Sequence, residues 1–184
     1  MNRKTAMKLF GLLGLLMLLS CGYADRHRNN SSCEQVLVDS LEVRIQDSLF
    51  SNVHYSRSQV LDALTQTQDS QVYYRLLALY GKTFFVSSDY DSILYYNRRV
   101  KEFSRNASQS SESLQSPQWN DVLSDVYNIE GNVWMQLNRP DSAITDYKKA
   151  YEYRLRGKKL HLLPDICINT ADAYLHRSDL AHTA

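Results

Sequence analysis

The chain has 184 residues, enough for one domain of ordinary size. Its 21 basic and 20 acidic residues leave a net charge of +1, which excludes the strongly basic character of a nucleic-acid binder. Three cysteines make no disulfide framework.

The chain opens with "MNRKTAMK", where Arg3, Lys4 and Lys8 stand without an acid. Leu9 to Leu19 is an unbroken apolar run. It falls short of the roughly 20 residues that span a bilayer and matches the apolar region of a secretory signal. "LLSC", Leu18 to Cys21, follows directly. This arrangement resembles the lipobox of bacterial lipoproteins; an ordinary signal peptide with an incidental cysteine is the alternative. The resemblance implies that residues 1–20 are a signal peptide. Cys21 would then be the acylated first residue of the mature chain, held by at least two acyl chains, as stable anchoring requires. Cleavage leaves 18 basic against 20 acidic residues, a net charge of −2. The implied address is the membrane, and the expected side is periplasmic, because "GYADRHR" carries one acid and two arginines rather than an acidic export signal.

Residues 21–33 are polar and aperiodic and read as a flexible tether. Helices are expected at Glu34–Phe50 and Ser58–Gln68, and an extended loop from Ser104 to Gln118. Val122, Val126, Ile129, Val133 and Leu137 lie on one helical face, as do Ala143, Ile144, Tyr147, Ala150, Tyr151 and Leu155. Ser116-Pro117 and Leu163-Pro164 mark helix starts, and Asp89 and Asp179 stand where an N-cap or first-turn acid belongs. Cys167 falls on an apolar face and is expected to be a buried free thiol, with a bridge to Cys33 as the alternative. No stretch alternates with a period of two, so an all-α fold without a sheet is expected over 34–184.

Gly81–Val100 and Gly131–Ala150 are two copies of one pattern. Each opens on glycine, carries an aromatic three residues later (Phe84, Trp134), places Asp-Ser at the same offset, and ends on two basic residues and a small apolar one. A third copy starts with Ala171 at the glycine's place and Tyr174 at the aromatic's. Gly131, Trp134, "LNRPD", Ala143, Tyr147 and Ala150 resemble the tetratricopeptide repeat, with clear copies at about 74–100 and 124–151 and a truncated one from 165. The copy ending at Val100 departs from that pattern, with Ile93 for the small residue and Asn97 for the aromatic. "ADAYLHRSDLAHTA" reads as a helix end, a turn and the start of a second helix, so the chain is expected to stop within a repeat and to be part of a longer protein.

The resemblance implies an α–α superhelix of stacked helix pairs whose first helices line a concave groove. The groove positions it implies are Arg75, Lys82 and Phe85, then Asn128, Asn132, Met135 and Gln136, then Asp165, Asp172 and His176. It further implies a protein or peptide partner in that groove and no cofactor. Asn128 and Asn132 share a helix face, and asparagine and lysine at such places hold a terminal carboxylate in some family members. Asp172 argues against an anion here. No phosphate loop, no His-Glu-x-x-His and no nucleophile elbow is present, and the five histidines have no metal-ligand spacing, so the chain is not expected to be an enzyme. The expected function is a non-catalytic, membrane-anchored scaffold. The alternative is the sensory N-terminal region of a signalling protein, either a histidine kinase or a helix-turn-helix regulator.

Overall fold

The computed structural model describes residues 34–45, 49, 51–107 and 116–183, with side chains to 179. The signal segment, Cys21, Cys33 and the 21–33 tether lie outside the described residues. Regular structure among the described residues is entirely helical. Helix α1 covers 34–45. It is followed by α2 (Val53–Gln66), α3 (Ser70–Lys82), α4 (Tyr90–Ala107), α5 (Pro117–Gln136), α6 (Pro140–Leu155) and α7 (Leu163–Thr183). Short 3₁₀ turns at Phe85–Ser87 and Leu160–Leu162 precede α4 and α7.

Side chains that satisfy orphan backbone N–H groups set the helix starts. Asn52 accepts from Tyr55 N at 3.1 Å, Asp69 from Gln71 N at 2.8 Å, Asp89 from Ser92 N at 3.1 Å and Ser116 from Trp119 N at 3.2 Å. The Asn52 cap explains why α2 begins at Val53 rather than Ser58. Pro117 and Pro140 occupy first turns, where the missing N–H is not needed.

Consecutive helices run antiparallel, and each stretch of core is shared between neighbours. Val38, Leu41, Ile45, Val60, Val72 and Leu76 join α1, α2 and α3. Leu77, Val100, Trp119, Val122, Leu123 and Val126 join α3, α4 and α5. Ala143, Tyr147, Ala150, Ile166 and Ala173 join α6 and α7, with Trp134 and Met135 of α5 against them. Odd-numbered helices also meet. Arg75 of α3 reaches Gln35, Asp39 and Glu42 of α1, and Asn169 of α7 donates to Asn128 Oδ1 of α5 at 3.1 Å.

The two sequence copies share one turn, residue for residue. Ser88 (φ 53°) and Asn138 (φ 57°) are both left-handed. The next residue in each donates back to the aromatic's carbonyl: Asp89 N to Phe84 O at 3.2 Å, Arg139 N to Trp134 O at 2.8 Å. Ile93, Asn97 and Val100 are buried like Ala143, Tyr147 and Ala150. The departures in the earlier copy therefore occupy the same slots with different side chains.

Four expectations are corrected. The Ser104–Gln118 segment is not a loop throughout, because α4 continues to Ala107 and the buried Ser104 hydroxyl accepts from Trp119 Nε1 at 3.0 Å. Among the described residues, to Thr183, the end of the chain holds no turn, because α7 is one helix through Ser178 and Asp179. In that helix the buried small residue is Ala173, whereas Ala171 is exposed and Tyr174 is 36% exposed. Cys167 is free and exposed, not buried. No described helix is long and apolar enough to cross a membrane.

Candidate functional site

The face shared by α1, α3 and α5 carries two adjoining hollows. The larger, about 210 Å³, is lined by Leu49, Lys82, Phe85, Asp125, Asn128, Ile129 and Asn132. The smaller, about 60 Å³, shares Lys82, Asp125 and Ile129 with it and adds Glu42, Arg75, Asn97 and Lys159 over an apolar floor of Ala78, Leu79, Val122 and Val126. Such a mixture of apolar floor and convergent polar groups suits recognition of an extended segment.

Local structure places these groups. Asp125, Asn128, Ile129 and Asn132 recur at three- and four-residue spacing along α5, so they form one stripe. Lys82 closes α3, and the 3₁₀ turn that follows carries Phe85 beside Tyr90. Asn132 Oδ1 accepts from the Tyr147 hydroxyl at 2.7 Å, which ties the stripe to the α5–α6 contact. Burial pushes the Tyr147 hydroxyl pKa upward, and the nearby Asp172 charge adds to it. Asn128 is fixed from the other side by Asn169.

Lys82, Phe85, Asn128 and Asn132, four of the ten implied groove positions, line one hollow. The other six lie elsewhere or differently. Arg75 is 7% exposed and turned toward α1, where its guanidinium bonds Asp39 at 2.7 Å and Glu42 at 2.9 Å, so it is a buried ion-pair partner rather than an open groove cation. Burial works against its charge, but Glu42 and Asp39 outweigh burial and hold its pKa above the ordinary value. Met135 is packed against the α6–α7 core. Gln136, Asp165 and Asp172 are exposed and line neither hollow. His176 shares a hydrogen bond with Asn138 Oδ1 at 2.6 Å, outside both hollows.

A second polar assembly holds the segment between α6 and α7. Arg154, 1% exposed, bonds Asp121 Oδ1 at 2.8 Å and also Asp125. The same Asp121 carboxylate accepts from Lys158 N at 2.9 Å and Lys159 N at 3.1 Å. A Cβ on Gly157 would lie 2.1 Å from Asp121 Oδ1, so glycine is what lets the carboxylate reach those amides. Held this way, Lys159 extends to Glu42 of α1, Nζ to Oε2 at 3.0 Å, across 117 positions of sequence. The segment Lys148–Lys159, basic apart from Glu152, is therefore partly internal, with Arg154 buried against Asp121.

Asp125 shares the three- and four-residue spacing of the asparagines, whereas Ile129, which reads as part of the apolar Val122–Leu137 face, is only partly buried and lines the hollow. Leu49, Glu42 and Lys159 carried no comparable signal, since their place depends on packing between distant helices. Among the described residues no group of histidine, cysteine and acidic side chains is arranged to hold a metal ion. No protein family, curated protein or solved structure matches this chain.

Proposed function

We propose that the chain is a non-catalytic tetratricopeptide-like scaffold, anchored by lipid on Cys21 at the periplasmic side of a bacterial membrane, that binds a protein or peptide segment. The observation that carries the binding reading is the convergence of Lys82, Phe85, Asn128 and Asn132 on one hollow between α3 and α5. Lys82 and Phe85 come from one sequence copy and the asparagines from the next, which is how stacked helix pairs build a continuous recognition face. Phe85, Ile129 and Leu49 supply apolar contact, and the asparagine amides and Lys82 supply polar contacts for an extended backbone. The equivalent turns at Ser88 and Asn138 support the repeat reading.

A peptide library displayed against the full chain in non-ionic detergent tests the binding reading. Selected peptides are expected to lose at least about tenfold in affinity on Ile129→Arg, a change that charges the apolar part of the hollow. Peptides that bind both forms equally would overturn it. The anchoring reading has its own test, the mass of the N-terminal peptide from membranes. A lipid adduct on Cys21 that disappears in Cys21→Ser is expected, and an unmodified cysteine would refute the anchor.

A further inference from the structure

The groove face holds a carboxylate that belongs to the chain itself. Glu42 of α1 is shared between two cations from distant segments, Arg75 Nη2 at 2.9 Å and Lys159 Nζ at 3.0 Å. All three line the smaller hollow, where Lys82 adds a third cation. The other carboxylate there, Asp125, is engaged by Arg154. Arg75 is buried, yet its Nε has no hydrogen-bond partner among the described residues. Lys159 is held charged for the same reason as Arg75: burial disfavours its charge, and Glu42, Asp125 and Asp121 outweigh burial.

We propose that Glu42 is a built-in occupant of an anion-accepting subsite formed by Arg75 and Lys159, and that an acidic side chain of a partner peptide displaces it. The proposal rests on the cleft being the binding face and names the chemistry of its partner. Displacement breaks the Lys159–Glu42 pair, which links α1 to the α6–α7 segment. The two hollows adjoin through Lys82, Asp125 and Ile129, so a peptide lying along α5 can reach the subsite. The Lys159 and Glu42 side chains are 38% and 22% exposed, which lets an incoming carboxylate approach while the pair is still formed. An internal competitor of this kind keeps the cations paired when no partner is present and weakens binding to any segment that lacks an acid in register.

The probe is hexaglutamate blocked by acetyl and amide groups, titrated into the full chain in non-ionic detergent at low salt. Glu42→Gln is expected to tighten binding at least about tenfold. Lys159→Met in the Glu42→Gln background is expected to abolish that gain. Asp39→Asn makes the same change in net charge on the outer side of Arg75, where Asp39 is 66% exposed, and is expected to leave the affinity unchanged. Equal gains from Glu42→Gln and Asp39→Asn would reduce the effect to general electrostatics and overturn the proposal, as would a gain that survives Lys159→Met. Hexa-alanine with a free C terminus separates the source of the carboxylate, and a gain for that peptide alone overturns the acidic side chain as ligand. Helix content and thermal unfolding of each variant keep a folding defect from imitating lost binding. If display-selected peptides still depend on Ile129 while hexaglutamate fails, the subsite falls and the cleft stands.

Discussion

In the pair α5–α6 the Tyr147 ring lies against Gly131; in the pair α3–α4 the corresponding places hold Asn97 and Gly81. An added Cβ on Gly131 would come within 2.3 Å of the Tyr147 ring, whereas on Gly81 it would stand 3.0 Å from Tyr96 Cβ. The later pair is closed by a ring seated in a glycine slot and anchored through its hydroxyl on Asn132. The earlier pair uses Asn97 to reach outward, its Nδ2 donating to Val126 O of α5 at 3.2 Å. One turn geometry thus supports two solutions, an apolar one that seals a pair and a polar one that links it to the next.

The comparison can be broken first at Tyr147. Tyr147→Ala empties the slot, and an aromatic deletion in a core costs about 3–5 kcal/mol; denaturant unfolding should show a loss in that range. Gly131→Ala comes next. Overpacking against a fixed ring costs about 1–3 kcal/mol and is offset by about 1 kcal/mol of helix propensity, so a net loss is expected. Gly81→Ala brings a Cβ 3.0 Å from Tyr96 Cβ, so the α3–α4 pair must give by a few tenths of an ångström, and with the same propensity gain the net loss should be smaller than at Gly131. Equal effects at the two glycines would show that the slots are not different in kind. Asn97→Ala removes one buried hydrogen bond, worth about 1 kcal/mol, and should loosen α4 from α5, seen as faster amide exchange in that part of α5.

A small, pH-dependent effect is expected at Glu130, which is 3% exposed and bonds Lys101 Nζ at 2.5 Å. Burial raises its pKa above the ordinary carboxylate value despite the Lys101 charge. A carboxyl whose folded pKa is raised favours folding as pH falls, because the native state takes up the proton first. Glu130→Gln should therefore be neutral to slightly stabilising at pH 7. That advantage should shrink as pH falls through the raised value toward 4.5, the ordinary value for glutamate. Thermal unfolding of both forms across that window measures it, and an advantage that grows on acidification would contradict the assignment.

Local signals carried much of the architecture. Ser116-Pro117, Leu163-Pro164 and Asp89 marked real helix starts because capping is decided by a few adjacent residues. The glycine–aromatic spacing identified two equivalent turns for the same reason. Asp179 reads as an N-cap or first-turn acid yet lies inside α7, where the surrounding helix overrides a weak local preference. The resemblance implies a groove place for Arg75, but its orientation is set by three α1 side chains from 33 to 40 positions earlier. Spacing within one helix puts Asn128 and Asn132 on one face, and the resemblance implies Lys82 and Phe85 beside them; Leu49, Glu42 and Lys159 depend on which distant helix lies opposite.

The Lys159–Glu42 contact also bears on how the molecule comes apart. Helices that touch only near neighbours unfold by fraying, with each end opening independently of the other. A bond spanning 117 positions makes the opening of α1 and that of the α6–α7 segment a shared event. A partly exposed ion pair of this kind contributes about 1 kcal/mol, so the coupling is modest and weakens with salt. Its signature is cooperativity: in dilute buffer the two ends should unfold in one transition, and in concentrated salt the transition should broaden as they separate.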